Sequence, residues 1–231
     1  MSKIKGISAE LTERLNWLVC LGDLFSSYEK NKNDKFYTTI KKAEILNPWF
    51  SEQNINTSIN YWQSKLKLNI ISAWISKYEM IETPPIQVGI VMAGNFPFAG
   101  LHDLICVIIS GNIALVKPSK SDKILIEYLI DYLWNKFPKS KHYIIKTEIL
   151  KEFDKVIATG SNNTFRYFEY YFSKKPNILR KSRTSVAILE NHTDKDSLRL
   201  LAKDIFTYFG LGCRNVSKLF IPIGFDIKKI I

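Results

Sequence analysis

The pattern of apolar and polar positions changes character once along the 231-residue chain. As far as about residue 82 its period is helical. Leu11, Leu15, Leu18 and Leu21 recur at intervals of three and four, and Ile59, Trp62, Leu66, Ile70, Trp74 and Tyr78 do the same across INYWQSKLKLNIISAWISKY. Both stripes predict helices with a core-facing side. Asn47-Pro48 divides the region and ETPP (82–85) closes it. Beyond that point short apolar runs alternate with helical segments. IQVGIVM (86–92), IALVK (113–117), HYIIK (142–146), KVIATG (155–160), SVAIL (185–189) and SKLFIP (217–222) have the length and composition of strands. FAGLHDLICVIIS and the segments Ser121 to Phe137, Asn162 to Phe172 and Lys195 to Phe209 read as helices. The expected fold is α/β, a largely parallel sheet with flanking helices, preceded by a helical amino-terminal region. Ligands of such sheets bind beyond the carboxyl ends of the strands, where the loops AGNFP, KPSKS and TGSNN fall.

Composition narrows the class. At 46% hydrophobic and 24% charged residues the chain is globular. Its longest apolar stretch, LICVIISGNIALV, is interrupted by Ser110, Gly111 and Asn112, so no membrane span is expected. Glu10 and Glu13 occupy the region a signal peptide would keep apolar, and a cytoplasmic protein is expected. Three scattered cysteines without a CxxC spacing agree with a reducing compartment and argue against a metal site. His102, His142 and His192 form no ligand or triad pattern and are read as ordinary surface or packing residues. The net charge of +11 comes from 33 basic residues spread among 22 acidic ones, with no nucleic-acid motif, so no specific nucleic-acid partner is expected. An anionic small molecule, a dinucleotide or coenzyme A, accounts for local basic residues equally well.

No GxGxxG and no GxxxxGK[ST] follows any predicted strand. Four other segments carry candidate chemistry, each of the first three with a plainer structural reading beside it. Asn95, in Gly94-Asn95-Phe96-Pro97, can donate its amide to a developing oxyanion, or can simply suit a turn. Lys117, ending a strand before Pro118-Ser119, can reach a ribose hydroxyl or a phosphate, or be solvated. Gly160-Ser161 opens a helix, a natural place for an anionic group, although Ser is also a good N-cap. Cys213 follows Gly-Leu-Gly and precedes Arg214, unlike Cys106, which sits inside an apolar run as a packing cysteine would. Glycines around a thiol let backbone and substrate approach closely, as a nucleophile needs.

The order of these segments resembles that of the aldehyde dehydrogenase superfamily: GNFPF (94–98), GNIALVKPS (111–119), ATGS (158–161) and FGLGC (209–213). GNIALVKPS is the most specific. Within the superfamily, ILRKSRTSVAILE and YFGLGCRNVSKLFIP are similar to the acyl-CoA reductases of the LuxC type, which supply fatty aldehyde. The resemblance covers residues 85 to 222 and implies a helical region at 1–85, a Rossmann-like cofactor-binding domain at 86–209, and the start of a catalytic domain carrying the nucleophile at 210–231. Family members continue much further, so the chain reads as the front part of such an enzyme, with apolar positions open to self-association into a homo-oligomer.

Carried over residue by residue, the resemblance implies Cys213 as nucleophile, with Asn95 and the Cys213 amide as oxyanion donors. Lys117, Ser119, Lys120, Gly160 and Ser161 fall at cofactor-contacting positions. It implies NADPH-dependent reduction of a fatty acyl-CoA, or another acyl thioester, to the aldehyde through an acyl-cysteine. The alternatives are aldehyde oxidation and a non-catalytic remnant that binds a dinucleotide or a partner. Hydrolytic members carry a Glu-Leu-Gly-Gly segment, which this chain lacks. Laying SVAILEN on that strand puts Ile188 at or near the glutamate's place, with Glu190 on the same face as a shifted base. Lys120 stands where NAD-preferring members often have an acid, which favours NADPH while leaving NADH open.

Overall fold

A computed structural model describes residues 8–28, 34–81, 83–191 and 193–229. Ser8 starts the first helix, α1 (Ala9–Ser27), by accepting a hydrogen bond from the Leu11 amide at 3.2 Å, the usual service of an N-cap serine. The leucines at positions 11, 15, 18 and 21 are buried on one side, as their spacing predicts. Three more helices follow: α2 (Lys35–Leu46), which ends before Asn47-Pro48, α3 (Glu52–Lys65) and α4 (Leu68–Ile75). The expected continuous stripe from Ile59 to Tyr78 does not survive. The helix breaks at Leu66-Lys67 and its phase resets, so Ile71 and Ile75 turn inward while Ile70 and Tyr78 are exposed.

The α/β region begins with β1 (Gln87–Val91), α5 (Leu101–Ile109), β2 (Ile113–Lys117) and α6 (Lys123–Lys136). A single helical turn, α7 (Ser140–Tyr143), precedes β3 (Ile144–Lys146), so only the second half of HYIIK is strand. Then come β4 (Lys155–Thr159), α8 (Asn162–Phe172) and β5 (Asn177–Arg180). These five strands form one parallel sheet in the order β3-β2-β1-β4-β5. Strand progression reverses between β1 and β4, and a crevice at their carboxyl ends is where such sheets take ligands. In register, Val88, Ile90, Ala114, Val116 and Ile144 share one face and join the large core with α1, α5 and α6. Val156 and Ala158 face the other way, onto Phe168 and Phe172 of α8.

The chain continues as β6 (Ser185–Ile188), α9 (Lys195–Phe206), a 3-10 turn at Thr207–Gly210 and β7 (Val216–Phe220). Here two expectations are corrected. Ser185–Ile188 is not the next strand of the five-stranded sheet. It pairs in parallel with β7 in a separate two-stranded sheet, and the strand that follows α8 beside β4 is β5. The placement of SVAILEN as that strand, with Ile188 in the glutamate's position, therefore does not hold. Glu190 lies exposed in the turn after β6. Helix α9 also stops three residues short of Phe209, because Tyr208 and Phe209 are left-handed (φ 55° and 54°). The chain divides into two units, Met1–Arg180 and Lys181–Ile231. Overall, the expected α/β architecture, with a parallel sheet, flanking helices and a helical amino-terminal region, is what the chain adopts.

Candidate active site

In the first unit, the carboxyl edge of the sheet gathers the loops after β1, β2 and β4. The β1–α5 loop holds exposed Asn95. It is braced by the β2–α6 loop: Ser121 Oγ donates to the Gly94 carbonyl at 2.6 Å and lies 3.0 Å from Ser119 Oγ. A Cβ at Gly94 would come within 2.5 Å of Ser119 Cβ and of both serine hydroxyls, so only glycine lets the loops approach this closely. Ser119, expected to contact the cofactor, is thus also part of a brace between loops.

Asp122, for which the sequence gives no role, follows Ser121 in the same loop. It stands at the N-cap of α6 but makes no capping bond. Its side chain is fully buried, and neither carboxylate oxygen reaches hydrogen-bond geometry with a donor among the described residues. Burial pushes the carboxyl well above its ordinary value, opposed in part by the Phe98 and Ala99 amides of the β1–α5 loop. A group whose folded-state pKa is raised stabilises the fold below its unfolded value, about 3.9, and loses that contribution as pH rises toward the folded value. Asp122→Asn mimics the protonated form. We therefore expect a higher Tm than wild type at pH 7–8, by about 2–4 °C per kcal/mol recovered, with the difference closing toward pH 4. Thermal unfolding across that range measures it; a variant equal to or less stable than wild type at pH 8 would contradict the account.

Lys117 ends β2, and Lys120 is exposed in the loop beyond it. Lys123 forms an ion pair with Glu148, whose carboxyl is held below its usual range by Lys123 first and by Lys117 and Lys120 in addition. Gly160 follows β4, and Ser161 caps α8 by accepting from the Thr164 amide at 3.2 Å. The Ser161 hydroxyl is engaged as a cap, so what it offers an anion is the helix N-terminus behind it. The buried Thr159 hydroxyl at the end of β4 has no partner among the described residues. Lysines, a helix N-terminus and hydroxyls are a donor set that fits the anionic part of a dinucleotide.

A second cluster on this unit was missed because its members are far apart in sequence. Arg180, the last residue of β5, donates through Nη1 to both Asp103 oxygens at 2.7 and 2.8 Å. His102 Nδ1 lies 3.7 Å from Asp103 Oδ1 and 3.7 Å from Cys106 Sγ. Contact with Asp103, then with Cys106, holds the imidazole protonated, its pKa raised to about 10. Burial pushes the Asp103 carboxyl up, but His102 and Arg180 together bring it below its ordinary value. His102 is thus a charged member of a network, and Cys106 is half-buried beside it rather than a plain core cysteine. Among the described residues no group of three or more His, Cys, Asp or Glu could hold a metal.

Cys213 belongs to the second unit and is exposed, at the tip of the turn Gly212–Asn215. The turn is closed by the Asn215 amide donating to the Gly212 carbonyl at 3.1 Å. The glycines before the thiol have local reasons. Gly210 is left-handed (φ 74°), and a Cβ at Gly212 would lie 2.5 Å from the Asn215 side-chain oxygen. Asn215 was invisible as a candidate, since an Asn two residues past a cysteine carries no motif of its own.

Residues 76–224 match the family model described as Acyl-CoA reductase (LuxC). A long-chain acyl-protein thioester reductase of Aliivibrio fischeri is 20% identical over 245 residues, covering 93% of this chain and 51% of that protein. Among solved structures, an NAD-dependent aldehyde dehydrogenase from Sinorhizobium meliloti superposes with a TM-score of 0.71 at 16% identity, over 95% of this chain and 48% of that one. An aldehyde dehydrogenase from Bartonella henselae gives 0.70 at 15% identity, over 97% and 50%. The chain thus spans about half the length of these relatives. At these identities the structural likeness shows the fold, which is aldehyde dehydrogenase-like. The family match covers well over half of the chain, from before β1 to beyond the Cys213 turn, and the chain belongs to the LuxC family of acyl-CoA reductases.

Proposed function

We propose that the protein takes part in the NADPH-dependent reduction of a long-chain acyl thioester, acyl-CoA by preference, to the aldehyde through an acyl-Cys213 intermediate. The observation that carries this is the exposed Cys213 held in a built turn, inside the stretch that matches the reductase family. The Cys213 thiolate attacks the thioester carbonyl, the carbonyl oxygen takes the negative charge, and the coenzyme A thiolate leaves as the acyl-cysteine forms. The family resemblance assigns the Cys213 N–H and the Asn95 amide as oxyanion donors, each worth about 2.7–4 kcal/mol in sites of this kind. Lys117, Lys120, Gly160 and the N-terminus of α8 are assigned to the dinucleotide, with Ser119 and Ser161 shaping the loops that hold it. When bound, the nicotinamide would supply the hydride that turns the acyl-cysteine into aldehyde and the Cys213 thiolate.

No Glu-Leu-Gly-Gly segment supplies a base to activate water, and β5 ends on Arg180 engaged with Asp103. An acyl-cysteine without such a base hydrolyses slowly, which suits reduction over aldehyde oxidation. The test is loss of NADPH absorbance with trapping of the aldehyde in the presence of tetradecanoyl-CoA. Consumption that depends on the thioester and yields aldehyde supports the reading; release of free acid without NADPH consumption contradicts it.

Cofactor choice gives a separate prediction. Lys120→Glu places an anion where a 2′-phosphate would lie. We expect it to weaken NADPH binding by roughly tenfold, about 1.4 kcal/mol, and to leave NADH within about twofold. Fluorescence titration of each dinucleotide reads the ratio, and an unchanged ratio would move the 2′-phosphate contact away from Lys120.

A further inference from the structure

We propose that Asn215 is the positioning residue of the Cys213 nucleophile. This rests on reading Cys213 as the residue that takes the acyl group. Asn215 is buried, and every polar group it carries is used. Its side-chain Oδ1 accepts from the Gly212 amide at 2.7 Å. Its Nδ2 donates toward the carbonyls of Asp204 (2.8 Å), Ile205 (3.3 Å) and Thr207 (3.0 Å), which lie where α9 ends and its last carbonyls lack helical partners. Its own carbonyl accepts from the Ser185 amide of β6 at 2.8 Å. One side chain thus fastens the end of a helix to the turn that carries the thiol, and its backbone fastens both to a strand.

What lies between those anchors explains why a fastening is needed. Tyr208, Phe209 and Gly210 are consecutive left-handed residues (φ 55°, 54° and 74°), and two of them are aromatic residues that seldom adopt this conformation. Such geometry persists only where the surroundings over-determine it, and it gathers at functional sites. Asn215 brackets the run, holding the Thr207 carbonyl on one side and the Gly212 amide on the other. Gly212 is the complement of this bond, since a Cβ there would lie 2.5 Å from Asn215 Oδ1. The thiol itself stays exposed one residue beyond. Asn215 therefore sets the direction of Cys213 while touching neither substrate nor thiol, and direction is what a near-attack geometry depends on.

The test compares two reactions of the same thiol, both followed by peptide-resolved mass spectrometry. Alkylation by iodoacetamide asks only that Cys213 be exposed, whereas acylation by dodecanoyl-CoA asks that it be aimed. Asn215→Ala is expected to slow acylation by about thirtyfold or more, as misplacement by an ångström can, and to leave the alkylation rate and its pH profile within about threefold. Asn215→Asp keeps the size but turns a carboxylate oxygen toward the carbonyls, and is expected to fall with it. Gly212→Ala attacks the same bond from the other side, and the double variant Gly212→Ala/Asn215→Ala should lose no more than either single one. Additive losses, or acylation and alkylation falling in step, would overturn the positioning role, as would an Asn215→Ala protein acylated at the wild-type rate. A wild-type chain that takes no acyl group at Cys213 would overturn the nucleophile reading and this role with it.

Discussion

Cys213→Ala is expected to take up no acyl group from a long-chain acyl-CoA under conditions that label the wild-type chain. The loss should be complete rather than graded. Removing an oxyanion donor raises a barrier by a few kcal/mol, but removing the nucleophile removes the bond that defines the intermediate. The other two thiols offer no ready substitute. Cys20 lies half-buried on α1 with its sulfur 3.4 Å from the Tyr132 hydroxyl, and Cys106 lies half-buried on α5 beside His102. Cys20→Ala and Cys106→Ala should therefore label as wild type does. Peptide mapping of the adduct decides between the three positions. Equal acyl labelling of Cys213→Ala and wild type would end the assignment.

The second large effect is structural and joins the amino-terminal helices to the loop after β1. Phe98 lies in the β1–α5 loop, three residues after Asn95, fully buried and with a positive φ of 60°. Its ring meets Phe25 of α1 edge-on at 5.2 Å, and Phe25 meets Phe36 of α2 at 5.8 Å. Phe98→Ala removes the ring at the loop end of this chain of contacts, and truncations of that size cost about 3–5 kcal/mol. Alanine gains nothing back from the backbone, because it still carries a Cβ at a left-handed position. Against a typical stability of about 5–15 kcal/mol, such a loss would bring the chain close to unfolding. Urea denaturation should show a midpoint lowered in proportion, and the residual folded protein should bind NADPH more weakly. A midpoint within error of wild type would mean that the helical region and the loop are not coupled through this ring.

Much of this architecture could be read from periodicity, since β2 and α8 fall where the apolar runs place them. The errors have physical causes. The stripe from Ile59 to Tyr78 keeps helical spacing across a break that neither glycine nor proline marks, so only packing reveals it. β5 was hidden because NILR is short, follows Lys-Pro and runs into a basic patch, and Ile178 is exposed at the sheet edge. With β5 unseen, SVAIL took its place in the expected sheet. The end of α9 was overrun because Tyr208 and Phe209 suit a helix by composition, whereas their backbone is left-handed and lies between two bonds of Asn215, which no local pattern shows.

The candidate site divides the same way. Asn95, Lys117, Ser119, Lys120, Gly160, Ser161 and Cys213 stand out as candidates because they fall in segments whose order resembles that of a family. The supporting residues were not. Asp122 reads as an N-cap but turns inward, and Asp103 pairs with an arginine 77 residues away. Asn215 acts through carbonyls that no sequence pattern shows.

The central claim, that Cys213 carries an acyl group on its way to aldehyde, is tested most directly by intact-mass spectrometry of the purified chain after incubation with a long-chain acyl-CoA, with and without NADPH. The account predicts a mass increase of one acyl group that maps to Cys213 and disappears when NADPH is added. An adduct at another residue, an adduct that persists with NADPH, or no adduct at all would contradict it.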